Sequence, residues 1–146
     1  MPKNRKVVFV AHDFSTEGNH RDRFRKAIRV ALRGFRCRAD YADVNLLADH
    51  NLSNIIKKIR AAHFTIIDLT NYHSDRRGGV NLNAVFEYGI AVGMGRRTIM
   101  VFKGGNLNVA RDFSDVTTFI YEAYTTYTDL SHKLKQRVAS MVKRLD

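Results

Sequence analysis

Two carboxylates, Asp68 and Glu87, are the residues of this sequence best suited to do chemistry. Asp68 ends the apolar run FTIID and is followed closely by Thr70. Glu87 is the one charged residue of the stretch 81–95, NLNAVFEYGIAVGMG, which is otherwise typical of a buried helix. Asn83 precedes Glu87 by four residues, so the two side chains share one face of that helix. A lone carboxylate in such a helix either stabilises its end or acts on a bound ligand.

Further polar residues follow the first apolar run, VVFVA, and surround the two carboxylates in the chain. The sequence contains neither a phosphate-binding P-loop motif nor a dinucleotide-binding glycine motif. A phospho-acceptor receiver domain needs an acidic pair after the first strand, and only one acid is present there. The six histidines show no metal-ligand spacing, so no structural metal is expected. The remaining candidates for substrate contact are His12, Asp13, Phe14, Ser15, Thr70, Asn81 and Asn83.

The elements that must position these residues alternate along the chain. Short continuous apolar runs are typical of strands buried on both faces, and apolar residues at three- and four-residue spacing indicate helices. Strands joined by single helices imply right-handed crossovers and a parallel sheet. The expected fold is α/β, a three-layer flavodoxin-like domain with a central parallel sheet of about five strands. Strands are predicted at 6–12, 37–44, 64–70, 97–103 and 117–127, and helices at 20–35, 49–62, 81–95 and 129–145.

This architecture predicts where a ligand binds. In open α/β sheets, ligands bind beyond the carboxyl ends of the strands, near the point where the strand order reverses. The segments after the first, third and fourth strands, 11–22, 68–83 and 103–113, should therefore meet at one edge. Glu87 lies in the first turns of the helix that leaves the second of these segments. We expect it to face the ligand edge.

Composition limits the class of protein. The 146 residues suit a single domain over 1–146, and the net charge of +11 favours anionic ligands such as nucleotides, nucleic acid or acidic lipid. A merely solvated basic face would carry the same charge. The one cysteine, Cys37, forms no internal disulfide and is typical of a reducing compartment. No apolar run has the length of a signal-peptide core or a membrane span, so a cytoplasmic location is expected.

Residues 68–102 resemble a segment shared by nucleoside 2-deoxyribosyltransferases, related nucleotide N-glycosidases and bacterial TIR-like nucleotide-binding domains. VFVAHDFS resembles the first strand and loop of the same group, so the likeness extends over residues 7–102. One departure is the loop NYHSDRRGGVNL, which is longer and more basic than the common short form. The shared pattern is Asp-x-Thr at a strand end, a loop, and then Asn-x-x-x-Glu-x-Gly opening a helix, here Asp68, Thr70, Asn83, Glu87 and Gly89.

The resemblance implies an enzyme that acts on the N-glycosidic bond of a nucleotide, with Glu87 at the anomeric carbon of the ribose. Breaking that bond leaves an electron-poor sugar, which a carboxylate stabilises or captures as a covalent intermediate. Asp68 would bind ribose hydroxyls or protonate the leaving base, and Asn83 would hold a hydroxyl or orient the carboxylate. Arg76 and Arg77 would receive a phosphate. No metal or other cofactor is implied.

The same resemblance leaves the substrate and the activity open. Oxidised NAD is the expected substrate if the TIR-like branch applies, and a nucleoside monophosphate or deoxynucleoside if the transferase branch applies. The alternative is a non-catalytic TIR-like module that binds a nucleotide signal or a partner protein. Glu87 also has an explanation without function, because a carboxylate near a helix start gains about 0.3–1 kcal/mol from the helix dipole.

The sequence also bears on partners. The predicted first helix is rich in arginine, and Arg21 and Arg23 lie nearest the ligand edge. The helix lacks the interleaved aromatic residues of single-strand binders, so nucleic acid is a less favoured partner. Self-association to a homo-oligomer is expected, since residues 117–127 supply aromatic side chains beyond the needs of one edge strand. These are Phe119, Tyr121, Tyr124 and Tyr127.

Overall fold

The computed structural model describes residues 4–13, 17–42, 49–71, 80–103 and 121–145, and they form one parallel sheet with helices on both faces. The strand order is β2-β1-β3-β4-β5, and every neighbouring pair is parallel. The predicted flavodoxin-like α/β fold is thereby confirmed. The strands are β1 (Lys6–Ala11), β2 (Cys37–Tyr41), β3 (Phe64–Asp68), β4 (Thr98–Lys103) and β5 (Tyr121–Tyr124).

Four helices connect or follow these strands within the described residues. A short 3-10 turn, Glu17–Asn19, precedes the first of them. Gly95 follows the third helix and has a φ of 70°. Its N–H donates to the carbonyl of Val92, and the N–H of Arg96 donates to that of Ala91, the hydrogen-bond pair of a glycine-terminated helix. The helices are α1 (His20–Leu32), α2 (Asp49–Ala61), α3 (Leu82–Gly93) and α4 (Tyr127–Leu145).

Two hydrophobic cores lie on opposite faces of the sheet, because alternate residues of each buried strand point to opposite sides. Val8 and Ile66 belong to the core shared with α1 and α4, whereas Phe9 and Ile67 belong to the core shared with α2 and α3. Continuous apolar strands are the expected consequence of burial on both faces. The strand order reverses between β1 and β3, so the ends of these two strands border the expected ligand crevice.

Helix α3 corrects one prediction, since the stretch 81–95 is only half-buried. Its buried residues are Ala84, Glu87 and Ala91, one stripe that faces the core. The small alanines line the sheet side, and other apolar residues of the helix are partly buried against the same core or exposed. Leu82 is 66% exposed, and Phe86 is 52% exposed. Apolar content alone therefore misjudged which face of this helix is covered.

The fifth strand corrects a second prediction. Tyr124 was expected to supply aromatic surface, but it is 1% exposed and belongs to the core under α1 and α4. Tyr127 packs against the same core. Residues 117–120, the first part of the predicted strand, lie outside the described residues.

In the described part of the chain, no helix combines the length and apolarity needed to cross a bilayer.

Candidate active site

Asp68 closes β3 as a fully buried carboxylate, with 0% exposure. Its Oδ1 accepts hydrogen bonds from the backbone N–H of Thr70 at 2.9 Å and from the Thr70 hydroxyl at 2.6 Å. Its Oδ2 accepts one from the hydroxyl of Tyr124 at 2.7 Å. The Thr70 hydroxyl in turn accepts a hydrogen bond from the N–H of Lys103 at 2.9 Å. The network thus joins the ends of β3, β4 and β5.

Burial dominates the electrostatics of Asp68. It raises the pKa of this carboxyl to about 6, because the low-dielectric interior disfavours the charged form. Hydrogen bonds from Thr70 and Tyr124 oppose the rise, since they stabilise the carboxylate, and the nearby charge of Asp13 adds to it. Asp68 is therefore mostly ionised at pH 7 but lies close to its titration range.

Glu87 is the second buried carboxylate, and its surroundings are different. It is 5% exposed, and its buried Oε2 accepts no hydrogen bond from the described residues. Burial alone raises the pKa of Glu87 to about 8. Buried polar atoms are nearly always paired in folded proteins. An unpaired carboxylate oxygen is therefore the most unusual polar atom of α3.

The position of Glu87 weakens its explanation as a group that stabilises the helix end. Helix α3 begins at Leu82, and no acid lies in its first turn. The benefit of the helix dipole falls off beyond that turn. Asn81 caps the helix instead, because its side chain accepts a hydrogen bond from the N–H of Ala84 at 3.1 Å. Asn83 is exposed and lies within the helix, so it is not the cap.

Two backbone contacts tie the start of α3 to the end of β3. The N–H of Asn81 donates to the carbonyl of Leu69 at 2.8 Å, and Thr70 forms an antiparallel bridge with Val80. These contacts hold the first turns of α3 beside the end of the strand that carries Asp68. Both predicted carboxylates are therefore carried by elements that meet at the carboxyl edge of the sheet.

His12 and Asp13 follow β1 at the same edge, and both are buried. The Arg25 Nε donates to His12 Nε2 at 3.1 Å. Arginine is only a donor, so His12 carries its proton on Nδ1, which donates to the carbonyl of Asp13 at 2.7 Å. The ring also stacks on Phe24 at a centroid distance of 4.7 Å. Both ring nitrogens of His12 are thus engaged within the protein.

His20 opens α1 beneath this edge and is fully buried. Its Nδ1 pairs with the hydroxyl of Tyr127 at 2.8 Å. Burial is the main cause that lowers the pKa of His20 to about 3, and the charge of Asp13 partly opposes this shift. The imidazole is therefore neutral at physiological pH. The mutual influence of Asp13, His20 and Lys103 shows that the ends of β1 and β4 converge with the start of α1.

Sequence analysis missed three contributors to this edge. Tyr124 donates to Asp68, His20 sits below the end of β1, and Arg25 orients His12. Tyr124 could have been found from the fold, because a residue near the end of the strand beside β4 must approach the same edge. Arg21 is exposed, and the guanidinium of Arg23 lies 4.6 Å from the centre of the Tyr127 ring.

Four predicted contact residues, Phe14, Ser15, Arg76 and Arg77, lie outside the described residues. Among the described ones, no three His, Cys, Asp or Glu side chains are grouped as the ligands of a metal ion would be. The edge offers instead three buried carboxylates, two buried histidines and a phenol: Asp13, Asp68, Glu87, His12, His20 and Tyr124. Such a set can bind hydroxyl groups and stabilise positive charge on a ligand.

Two solved structures share this fold. The CMP N-glycosidase BcmB from Clostridium botulinum aligns with a TM-score of 0.64 and 18% identity, covering 90% of this chain and 99% of that chain. A 2-deoxyribosyltransferase from Leishmania mexicana aligns with a TM-score of 0.57 and 18% identity, covering 73% of this chain and 70% of that chain. No family model and no curated protein matches the sequence.

The likeness shows that this chain shares the fold of these two structures. It agrees with the part of the sequence resemblance that pointed to deoxyribosyltransferases and N-glycosidases. Neither structure is a TIR domain, so the TIR-like part of the resemblance and NAD as a substrate stay predictions.

Proposed function

We propose that this protein is an enzyme that cleaves or transfers at the N-glycosidic bond of a nucleotide, with Glu87 acting at the anomeric carbon. One observation carries the proposal. Glu87 is buried in the second turn of α3, the helix whose start is tied to the end of β3, and the described residues leave its Oε2 without a hydrogen bond. A fold gains no stability from such an atom, whereas a cationic sugar would complete its environment.

The chemistry requires one bond to form and one to break. Glu87 Oε2 attacks C1′ of the ribose, the C1′–N bond breaks, and the base leaves with the bonding electrons. The base of a nucleoside or its monophosphate takes up a proton from solvent or from Asp68, whereas the nicotinamide of oxidised NAD leaves as a neutral molecule without one. The resulting glycosyl ester is released by water in a hydrolase, or by a second base in a transferase. Alternatively, the carboxylate stabilises the oxocarbenium-like sugar while water attacks directly.

Asp68 suits a fixed acceptor better than a mobile acid. A carboxylate has about four acceptor sites, and Thr70 and Tyr124 occupy three of them on Asp68. The remaining site can accept a hydrogen bond from a ribose hydroxyl. With a pKa of about 6, Asp68 is mostly unprotonated at pH 7. We therefore assign it to substrate orientation, with proton donation to the base as its second candidate role.

The protonation state of Glu87 depends on the substrate. With a pKa of about 8, the free protein at pH 7 holds this group mostly in its neutral form. Positive charge that develops on the sugar favours the ionised form, because an opposite charge nearby lowers the pKa of a carboxyl group. Attack by Glu87 is therefore coupled to bond cleavage.

The test is a screen of nucleosides, nucleoside monophosphates and oxidised NAD by mass spectrometry. Wild type is compared with Glu87→Gln and with Glu122→Gln. The control makes the same chemical change at a carboxylate that pairs with Arg137 at 2.6 Å, on the other face of the sheet. We expect release of a free base by wild type and by Glu122→Gln, and none by Glu87→Gln.

The outcomes separate the alternatives. Turnover by Glu87→Gln at the wild-type rate would remove this residue from the chemistry. Tight nucleotide binding without turnover by any variant would favour the non-catalytic module. The substrate that reacts decides between NAD and a nucleoside or its monophosphate. Loss of phosphate preference in Arg76→Ala/Arg77→Ala would support the predicted phosphate contact of that loop.

Self-association also stays a prediction. Tyr124 is buried, so the aromatic surface first assigned to residues 117–127 is smaller than expected. Exposed apolar side chains lie instead on α3, where Leu82 and Phe86 point to solvent. Light scattering at increasing protein concentration tests whether the chain forms an oligomer.

A further inference from the structure

A groove lined by five arginines lies between the last turns of α1 and the edge strand β2. Its volume is about 740 Å³. Among the described strands, β2 pairs only with β1 and is therefore an edge strand of the sheet. The arginines are Arg5, Arg29, Arg33, Arg36 and Arg38.

The groove is placed apart from the two carboxylates. Arg5 precedes β1, and Arg36 precedes β2, at the amino end of the sheet. The N–H of Lys6 donates to the carbonyl of Arg36 at 2.9 Å, which holds these two segments together. Asp68 and α3 lie at the carboxyl end. A ligand in the groove is therefore not a ligand of Glu87.

The positive charge of the groove is not neutralised within the described part of the chain. All five arginines are exposed, and none of them forms an ion pair with a described carboxylate. The acid on β2, Asp40, pairs with Lys58 of α2 at 3.3 Å. Five like charges in one groove repel one another, and a polyanion would remove that repulsion.

Arg36 adds a second observation. Its φ of 55° lies in the left-handed region, which favours glycine or asparagine over arginine. Gly34, two residues earlier, has a φ of 91° and supplies the glycine that such a turn needs. The chain thus places an arginine at a backbone position where glycine would be less strained, and that arginine lines the groove.

The floor of the groove is apolar and aromatic. Leu32 and Ala39 line it between the arginines, and Tyr41 lies at its end nearest the carboxyl edge. The guanidinium of Arg25 lies 4.0 Å from the centre of the Tyr41 ring. Guanidinium groups around an apolar floor suit a strand whose phosphates and bases are both accessible.

We propose that this groove binds single-stranded nucleic acid through its phosphates. Tyr41 of β2 is the aromatic residue that lines the groove, and the guanidinium of Arg25 from α1 covers one face of its ring. This inference goes beyond the proposed N-glycosidic activity and does not depend on Glu87.

The test is fluorescence anisotropy with a labelled single-stranded oligonucleotide at several salt concentrations. The triple variant Arg29→Ala/Arg33→Ala/Arg38→Ala should bind roughly tenfold or more weakly, and its log–log salt slope should be shallower by about 2. The matched control, Lys135→Ala/Lys143→Ala/Arg144→Ala, removes the same charge from exposed positions of α4 and should bind nearly as wild type.

Arg36→Gly separates binding from folding. Glycine relieves the positive φ, so this variant should melt at the wild-type temperature or above it and still bind the oligonucleotide more weakly. Glu87→Gln should bind as wild type. These results together would support the proposal even if the triple variant failed to fold.

Several results would overturn it. Equal losses in both triple variants would show attraction by net charge alone. Equal affinity for a duplex of the same length would remove the single-strand assignment. Complete competition by inorganic polyphosphate at matched phosphate concentration would reduce the groove to a general anion site. Weaker oligonucleotide binding by Glu87→Gln would show that the oligonucleotide contacts or depends on the site around Glu87, and not the groove alone.

Discussion

The end of β3 and the second turn of α3 each bury a carboxylate, but they satisfy it very differently. Asp68 accepts three hydrogen bonds from Thr70 and Tyr124, and its pKa is raised to about 6. Glu87 has an Oε2 without a hydrogen bond from the described residues, and its pKa is raised to about 8. Burial drives both shifts, and hydrogen bonding restrains only the first.

The difference separates a carboxylate that the fold largely satisfies from one that, in the proposed mechanism, a ligand would satisfy. Asp68 joins the ends of three strands through its hydrogen bonds. These bonds offset part of the free energy needed to bury its carboxylate. Glu87 lies between Ala84 and Ala91 on the core-facing stripe of α3, where an apolar residue would cost less. Functional sites are where residues that reduce stability, such as a carboxylate at a core-facing position, are expected.

The largest effect should appear in the pH dependence of activity. If Glu87 acts as a carboxylate, kcat/KM should rise by about tenfold per pH unit up to about pH 8, because it follows the ionised fraction in the free enzyme. If Glu87 acts as a proton donor, kcat/KM should instead fall above pH 8. The measurement is an initial-rate profile with the substrate found by the screen.

Glu122→Gln is the control for this profile and should reproduce the wild-type curve. A Glu87-dependent activity with no inflection near pH 8 would contradict the assignment of an unpaired, desolvated carboxylate to the free enzyme.

Stability should change with pH for the same reason. Burial raises the pKa of Glu87 from 4.5 to about 8, so the folded state binds this proton more tightly than the unfolded chain. The stabilisation is therefore fully present below pH 4.5 and is lost as the pH rises to about 8. It amounts to about 4–5 kcal/mol over that window.

Urea unfolding of wild type and Glu87→Gln across this window measures the effect. Glutamine at position 87 does not titrate. The free energy of unfolding of wild type should therefore fall relative to that of the variant as the pH rises. Glu122→Gln should show no comparable widening. A constant difference between wild type and Glu87→Gln would mean that Glu87 is paired in solution.

Tyr124→Phe should leave Asp68, like Glu87, with a buried carboxylate oxygen that accepts no hydrogen bond from the described residues. Loss of the hydroxyl leaves Oδ2 without its donor, so the pKa of Asp68 should rise above about 6. The variant should lose about 1.5–3 kcal/mol of unfolding free energy above pH 6, the range for a hydrogen bond to a charged group. The loss should be smaller below pH 3.8, where Asp68 is protonated in both states.

Tyr127→Phe is the matched control. Its hydroxyl pairs with His20, whose pKa of about 3 keeps the imidazole neutral. The loss should be about 0.5–1.5 kcal/mol and nearly constant between pH 3.8 and 6. Carbon-13 NMR titration of the Asp68 carboxyl group completes the test. An unchanged pKa in Tyr124→Phe would show that the phenol does not act on Asp68.

The fold followed from patterns that are local in sequence. Continuous apolar runs predicted β1, β3 and β4, and the alternation with helices predicted the parallel order, because crossover geometry leaves few choices. The burial of α3 did not follow, since the outward position of Phe86 depends on which side of the helix meets the sheet.

The site was predictable only as far as strand ends could be aligned. Asp68 and Glu87 stood out as carboxylates next to apolar runs, and their burial agrees with that interpretation. The donor on Asp68 comes from Tyr124, 56 residues later in the chain. Such a partner is fixed by the register between β4 and β5, which no local pattern encodes. The arginine groove likewise needs α1 and β2 to be placed side by side.

The smallest expected effect distinguishes the two asparagines that precede Glu87. Asn81 caps α3 through the N–H of Ala84, so Asn81→Ala should lose about 1 kcal/mol of unfolding free energy. Asn83 is exposed within the first turn, and alanine is the better helix former, so Asn83→Ala should stay within about 0.5 kcal/mol of wild type. Activity should show the reverse order if Asn83 holds a ribose hydroxyl, with KM raised more by Asn83→Ala than by Asn81→Ala. Urea unfolding and steady-state kinetics of both variants decide the matter. A KM that changes only in Asn81→Ala would limit the role of this turn to holding Glu87 in place beside the end of β3.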